Sequence, residues 1–181
     1  MSERDADTLR LDLHDIVYRA NRARGVLLRA IEAVTDEAFQ HDPGDGWSCG
    51  VALRHVVWVE HHWTLKLQDL CGAEPGEVVA FGEDVGPRAA EIAAEASRLA
   101  GTPDYAGGLV GAFADALEAV AALGASRAEF LTTVEALTPQ HLQVRMREAR
   151  SSEGAVSCRW IPEHVIEHDW DHAVQIASLP R

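Results

Sequence analysis

The segment WIPEHVIEHDWDHAVQI carries His164, His168 and His172 at four-residue intervals. Neutral imidazole is a favoured ligand for zinc and its neighbours, so a ladder of this kind points to a divalent metal. A helix rises ~1.5 Å per residue, which puts His164 and His172 ~12 Å apart along the axis. Nitrogens on one zinc sit ~2.0–2.1 Å from it and hence within about 4 Å of each other. Only an adjacent pair, i and i+4, can chelate; the outer two cannot.

Helical phase separates the two pairs. At ~100° per residue, Ile161, Val165, His168, His172, Ile176 and Leu179 fall on one stripe, with His164 about 60° off its centre. Glu163, Glu167 and Asp171 gather on the far face. His168 and His172 thus occupy positions where core residues belong, and buried polar rings need partners. The competing reading satisfies both rings with backbone or carboxylate hydrogen bonds and no ion. For a lone core histidine that reading wins; for an HxxxH pair on one buried face a metal is favoured. A third ligand must come from another helix, and WSCGVALRHVVWVEHHW offers His55, His61 and His62. Ala52, Val56, Val59, Trp63, Leu67 and Leu70 form its apolar stripe. His61 points nearly opposite, whereas His55 and His62 share one flank, and periodicity leaves both open.

The elements that must position these residues read as helices. Leu13, Ile16, Val17, Ala20, Leu27, Ile31 and Val34 predict a first helix over about 9–34, followed by the turn HDPGDG. Ser48 is a good N-cap for a second helix to about Leu70. GAEPGEVVAFGEDVGP is a long connection, and PRAAEIAAEASRLA reads as a short Ala-rich helix. Leu109, Phe113, Leu117, Val120, Leu131 and Val134 predict a long helix from about Gly108 to Leu137. QVRMREARSSEGAVSCRW reads as two short strands around an SSEG turn. Pro162 suits the first turn of a last helix ending near Ser178. Residues 1–181 are expected to form a single all-α domain, a four-helix bundle with room for a crossover connection.

The totals exclude several classes of function. A net charge of −13 without a basic cluster argues against nucleic acid. No apolar run approaches the ~20 residues of a membrane span, and the N-terminus lacks the order of a secretion signal. No membrane partner is expected, and the expected location is cytoplasmic. Cys49, Cys71 and Cys158 are odd in number, far apart and without a CxxC, against a disulfide framework or thiolate zinc site. Cys49 lies near a helix N-terminus but has no neighbouring base, so it reads as a packed residue. Trp58, Trp63, Trp160 and Trp170 read as core before cavity lining. Glu118 and Glu129 read as solvated face.

Two motifs resemble a known family. Trp47-Ser48 opens a helix with His55 eight residues after the Trp, and His168 and His172 precede Gln175-Ile176. In order and separation these resemble the DinB-like (DinB/YfiT-type) superfamily, over most of the chain. The resemblance implies a four-helix bundle with a crossover and a metal site of His55, His168 and His172. His164 and His62 are then candidates to support the ligands from behind or to line the cavity. Many members carry a histidine directly before the last ligand, where this chain has Asp171. The resemblance also implies zinc or nickel as cofactor, with a low-molecular-weight thiol of the mycothiol or bacillithiol type acting on an electrophilic small molecule.

Three functions follow in order of expectation. The first is a metal-dependent thiol S-transferase or isomerase. The second is a metal-dependent hydrolase with Glu60, Glu167 or Asp169 as base. The third is a non-enzymatic, stress-linked ligand-binding bundle with a structural metal or none. A homodimer is compatible with a bundle of this kind, though no sequence feature establishes it.

Overall fold

The computed structural model describes residues 3–44, 47–72, 78–79, 112–138, 140–147 and 155–179. Its elements are α1 (Glu3–Glu32), α2 (Asp36–Gln40), α3 (Cys49–Leu70), β1 (Val78–Val79), α4 (Ala116–Glu135), β2 (Arg145–Arg147), β3 (Ala155–Ser157) and α5 (Trp160–Ala177). Helices α1, α3, α4 and α5 form the expected bundle. The Ala-rich helix expected over PRAAEIAAEASRLA and the SSEG turn lie outside the described residues.

Caps set the helix ends. The Ser48 hydroxyl accepts from the Val51 N–H, as its place before α3 predicts. The Thr35 side chain likewise accepts from Ala38, starting α2, a one-turn helix that periodicity missed. The helix expected from Gly108 begins instead at Ala116. Asp115 adopts an extended backbone and accepts from the Glu118 N–H, and Glu118 accepts from the Ala114 N–H. Apolar spacing continues through Phe113, but the capping side chains end the helix there.

The core falls into two apolar clusters stacked along the bundle. One holds Ile16, Ala20, Val59, Trp63, Leu67, Phe130, Val134, Ile161 and Val165. The other holds Leu27, Ile31, Leu53, Val56, Ala119, Leu123, Ala173 and Ile176. Residue numbers therefore rise in one direction along α1 and α5 and in the other along α3 and α4. Helices α3 and α4 therefore run parallel, and α4 starts at the end of the bundle opposite to the one where α3 stops, which is the connectivity of a crossover bundle.

Strands β2 and β3 pair antiparallel ahead of α5, the expected hairpin, and β1 adds in parallel to β2. Met146, Val144 and Cys158 from this hairpin close one end of the first cluster.

Gly50 allows the close approach of the segment that leads into α4. A Cβ there would lie 2.8 Å from the Phe113 carbonyl oxygen and 3.1 Å from the Phe39 ring. The Phe113 N–H in turn donates to the Gly50 carbonyl at 3.2 Å. Gly50→Ala is expected to destabilise by ~1–3 kcal/mol through overpacking, measured by urea unfolding.

Between the two clusters lies a layer of buried charge. Arg24 (α1), Glu60 (α3), Arg127 (α4) and Asp169 (α5) are each at most 5% exposed. Arg24 donates to Asp169 at 3.0 and 3.1 Å, to Glu60 at 3.0 Å and to the Leu123 carbonyl at 2.6 Å. Arg127 meets Asp169 at 2.6 Å and Glu60 at 2.8 Å. Ser126 donates a hydroxyl to Glu60.

Candidate metal centre

On α5 the buried residues Ile161, Pro162, Val165, Ile166, Asp169, His172, Ala173 and Ile176 span about 140° of the helix. This is wider than the apolar stripe read from the sequence, and its centre is displaced away from His168. His164 and His168 are half-buried and line the edge of this face, on the seam between α5 and α3. A seam is where a metal can be held by two helices and still be reached by a small molecule.

Three rings converge there. The Nε2 atom of His168 lies 3.1 Å from Nε2 of His55 and 3.2 Å from Nε2 of His172. One nitrogen from each of the three falls within 4.8 Å of the others. The edge of a tetrahedron of nitrogens ~2.05 Å from zinc is ~3.3 Å, so the spacing suits a first-row divalent ion. The set brought together is His55, His168 and His172, and the choice between His55 and His62 is made by position. The His62 ring stacks on Trp58 at 5.2 Å and meets Trp63 edge-on at 5.3 Å. His164 stacks on Trp160 at 4.5 Å, with its centroid 6.1 Å from that of His168. His61 faces Glu129 of α4 at 3.4 Å.

Hydrogen bonding among the rings explains the donor set poorly without a cation. The Gln175 amide oxygen lies 2.7 Å from Nδ1 of His172. That oxygen only accepts, so Nδ1 carries the proton and the neutral ring presents a lone pair at Nε2. A proton on His168 Nε2 can point at one neighbour, not squarely at both. A cation satisfies all three lone pairs at once.

The electrostatics favour the neutral, metal-ready rings. Burial first, then the adjacent His172, His55 and His164, push the pKa of His168 from 6.5 to about 2. Burial also lowers that of His172, against the hydrogen bond to Gln175. Below the unfolded value of ~6.5 the unfolded chain takes up protons that the folded site refuses. Stability of the metal-free protein is therefore full above that pH and falls as pH drops below it, by up to ~1.4 kcal/mol per unit for His168, with His172 acting in the same direction. Thermal melts of metal-free protein between pH 7 and 5 should show this slope, and His168→Leu should reduce it. Release of bound metal on acidification should coincide with unfolding, followed by parallel metal-dye and circular dichroism titrations.

Several residues differ from their sequence roles. Trp47, first noted only as a motif, packs on His55 at 5.2 Å and on His172 at 5.9 Å. Gln175 fixes a tautomer; its i+3 spacing from His172 is the signal that could have revealed it. Gln175→Leu is expected to weaken metal binding ~10–100-fold, with Gln175→Glu restoring it, measured by calorimetric titration. Trp170 lies on the outer face of α5, 37% exposed, away from the site. Cys49 and Cys158 are buried, which pushes their thiols up to about 12, and burial raises Cys71 as well. These are packing residues without nucleophilic character at neutral pH. Glu60 and Asp169, weighed as bases, are locked in the arginine layer, while Glu167 is exposed on the far face of α5. Among the described residues the only group of three or more potential metal donors is these histidines, with no carboxylate among them.

No helix among the described residues is long and apolar enough to cross a membrane. No curated protein and no solved structure matches the chain. The family model of the DinB superfamily matches residues 19–176, spanning His55, His168 and His172 and all but the first turns of the bundle. By that match, and in keeping with its helical architecture, the chain belongs to the DinB superfamily.

Proposed function

We propose that the protein binds a divalent ion, zinc or nickel, through His55, His168 and His172 and joins a low-molecular-weight thiol to an electrophilic small molecule. The observation that carries this reading is the convergence of three imidazole nitrogens on one half-buried seam, in an all-imidazole donor set. Three neutral protein ligands leave coordination positions open, which is the catalytic rather than the closed structural pattern. A bound divalent ion lowers the pKa of a thiol so that thiolate is available near neutral pH.

The protein's own contribution is to hold the donors neutral and oriented. Trp47 packs on the edge of His55 and beside His172, and Gln175 sets the His172 tautomer. Trp58, 6.1 Å from the His55 centroid, adds an apolar wall that limits water. In the reaction the thiol S–H bond breaks and its proton passes to solvent, while the sulfur electron pair forms a sulfur–carbon bond. The bond from that carbon to its leaving group breaks, releasing the group as an anion (chloride from a chloronitrobenzene). The unavailability of Glu60 and Asp169 weighs against hydrolysis, which calls for a base at the metal-bound water.

The test is metal content after reconstitution with zinc or nickel, followed by thiol consumption in the presence of a chloronitrobenzene electrophile. Stoichiometric metal and metal-dependent thiol loss support the proposal. Stoichiometric metal without thiol loss, or with thiol-independent ester turnover, removes the transferase reading. Protein that takes up no metal, and whose melting temperature is unchanged by a chelator, indicates a non-enzymatic bundle.

A further inference from the structure

The buried charges between the two core clusters are expensive to keep. The effective desolvation penalty is several kcal/mol per ion, and well-packed apolar replacements of such groups are often neutral or stabilising. Stability therefore does not account for Arg24, Glu60, Arg127 and Asp169. Their placement suggests another role. Asp169 directly follows the ligand His168 on α5, and Glu60 follows the ligand His55 by five residues on α3. The two arginines come from α1 and α4, which supply none of the three imidazoles. Each arginine nevertheless spans the same pair of helices. Arg24 reaches Asp169 at 3.0 Å and Glu60 at 3.0 Å; Arg127 reaches Asp169 at 2.6 Å and Glu60 at 2.8 Å.

We infer that this quartet is a register key: it sets the axial and rotational alignment of α3 against α5 so that the three imidazoles meet. The inference rests on the reading of His55, His168 and His172 as a metal centre. Apolar contacts are non-directional, and the Ala, Leu and Val neighbours on these helices could be exchanged by a slide of one turn. Hydrogen bonds weaken steeply with angle, and a one-turn slide of ~5.4 Å breaks every contact of the quartet between α3 and its neighbours. A metal site tolerates far less displacement than an apolar core does. The arginines thus act as positioning residues on helices that never touch the ion.

The test replaces the whole layer with apolar residues, Arg24→Met, Glu60→Leu, Arg127→Met and Asp169→Leu together. The expected protein melts at or above the wild-type temperature. It binds zinc at least ~10-fold more weakly, as for other supports behind a metal site, and its cobalt(II) absorption spectrum departs from wild type. Its metal-free crystal structure should show the 3.1 Å separation of His55 and His168 opened. Wild-type zinc affinity and spectrum in this variant overturn the inference, and so does failure to fold, which would make the layer a stability element. Ser126→Ala, which removes a single bond to Glu60, should lower zinc affinity a few-fold with little change in melting temperature; loss of stability alone counts against the key. Wild-type protein that takes up no zinc sinks the metal reading, and the crystal structure then still decides the register.

Discussion

His168→Ala is expected to yield protein that does not retain zinc or nickel. His168 is the middle donor: its Nε2 is within 3.2 Å of both partners, one on its own helix and one on α3. Removing it takes away a ligand and the link between the remaining two, so the loss should exceed the ~10–100-fold typical of an outer supporting residue. His55→Ala and His172→Ala should behave alike. His62→Ala and His164→Ala should retain metal, because their rings pack on Trp58 and Trp160 outside the convergent set. Metal analysis after reconstitution, with calorimetric titration of zinc at pH 7, reads all five variants. Retention of stoichiometric metal by His168→Ala would remove the centre as drawn.

Asp169→Ala is expected to produce the largest loss of stability of any single substitution considered. It strips Arg24 and Arg127 of a shared acceptor inside the bundle while leaving both charges buried. Breaking a buried pair in this way costs ~3–5 kcal/mol. At ~2–4 °C per kcal/mol for a chain of this length, the melting temperature should fall by roughly 6–20 °C. Asp169→Asn keeps an acceptor of the same shape and should fall less. A useful contrast is Glu163→Ala. Its pair with Arg19, at 2.6 Å, is as short as that of Arg127 with Asp169 but partly exposed to solvent, so only ~0–1 kcal/mol is expected. Melts of metal-free protein separate the two. Equal effects at both sites would mean that burial does not set the strength of these pairs.

Much of the bundle was legible in the chain. The apolar period of 3.6 marked all four long helices, and Ser48 marked the start of α3. The misses have local causes. Helix α2 is a single turn, too short for a period to register, and is started by the Thr35 cap. The start of α4 was placed too early because Phe113 keeps the apolar phase while Asp115 and Glu118 end the helix. Asp169 was weighed only as a base because a stripe drawn through His168 and His172 centres too near His168 and leaves Asp169 outside it. Its burial follows from two arginines more than forty residues away in the chain.

At the site, spacing alone carried one conclusion: His168 and His172 can share an ion, and His164 and His172 cannot, because helix rise is a constant of the backbone. The identity of the partner on α3 was different in kind. His55 and His62 are two turns apart on the same flank, and nothing local distinguishes them; family resemblance favoured His55. The packing of α3 against α5 brings His55 to 3.1 Å from His168 and sends His62 to the tryptophans. Helical geometry is local and can be read one residue at a time. The meeting of two helices depends on their relative slide and rotation, a property of long-range contacts, here the arginines of α1 and α4 between Glu60 and Asp169.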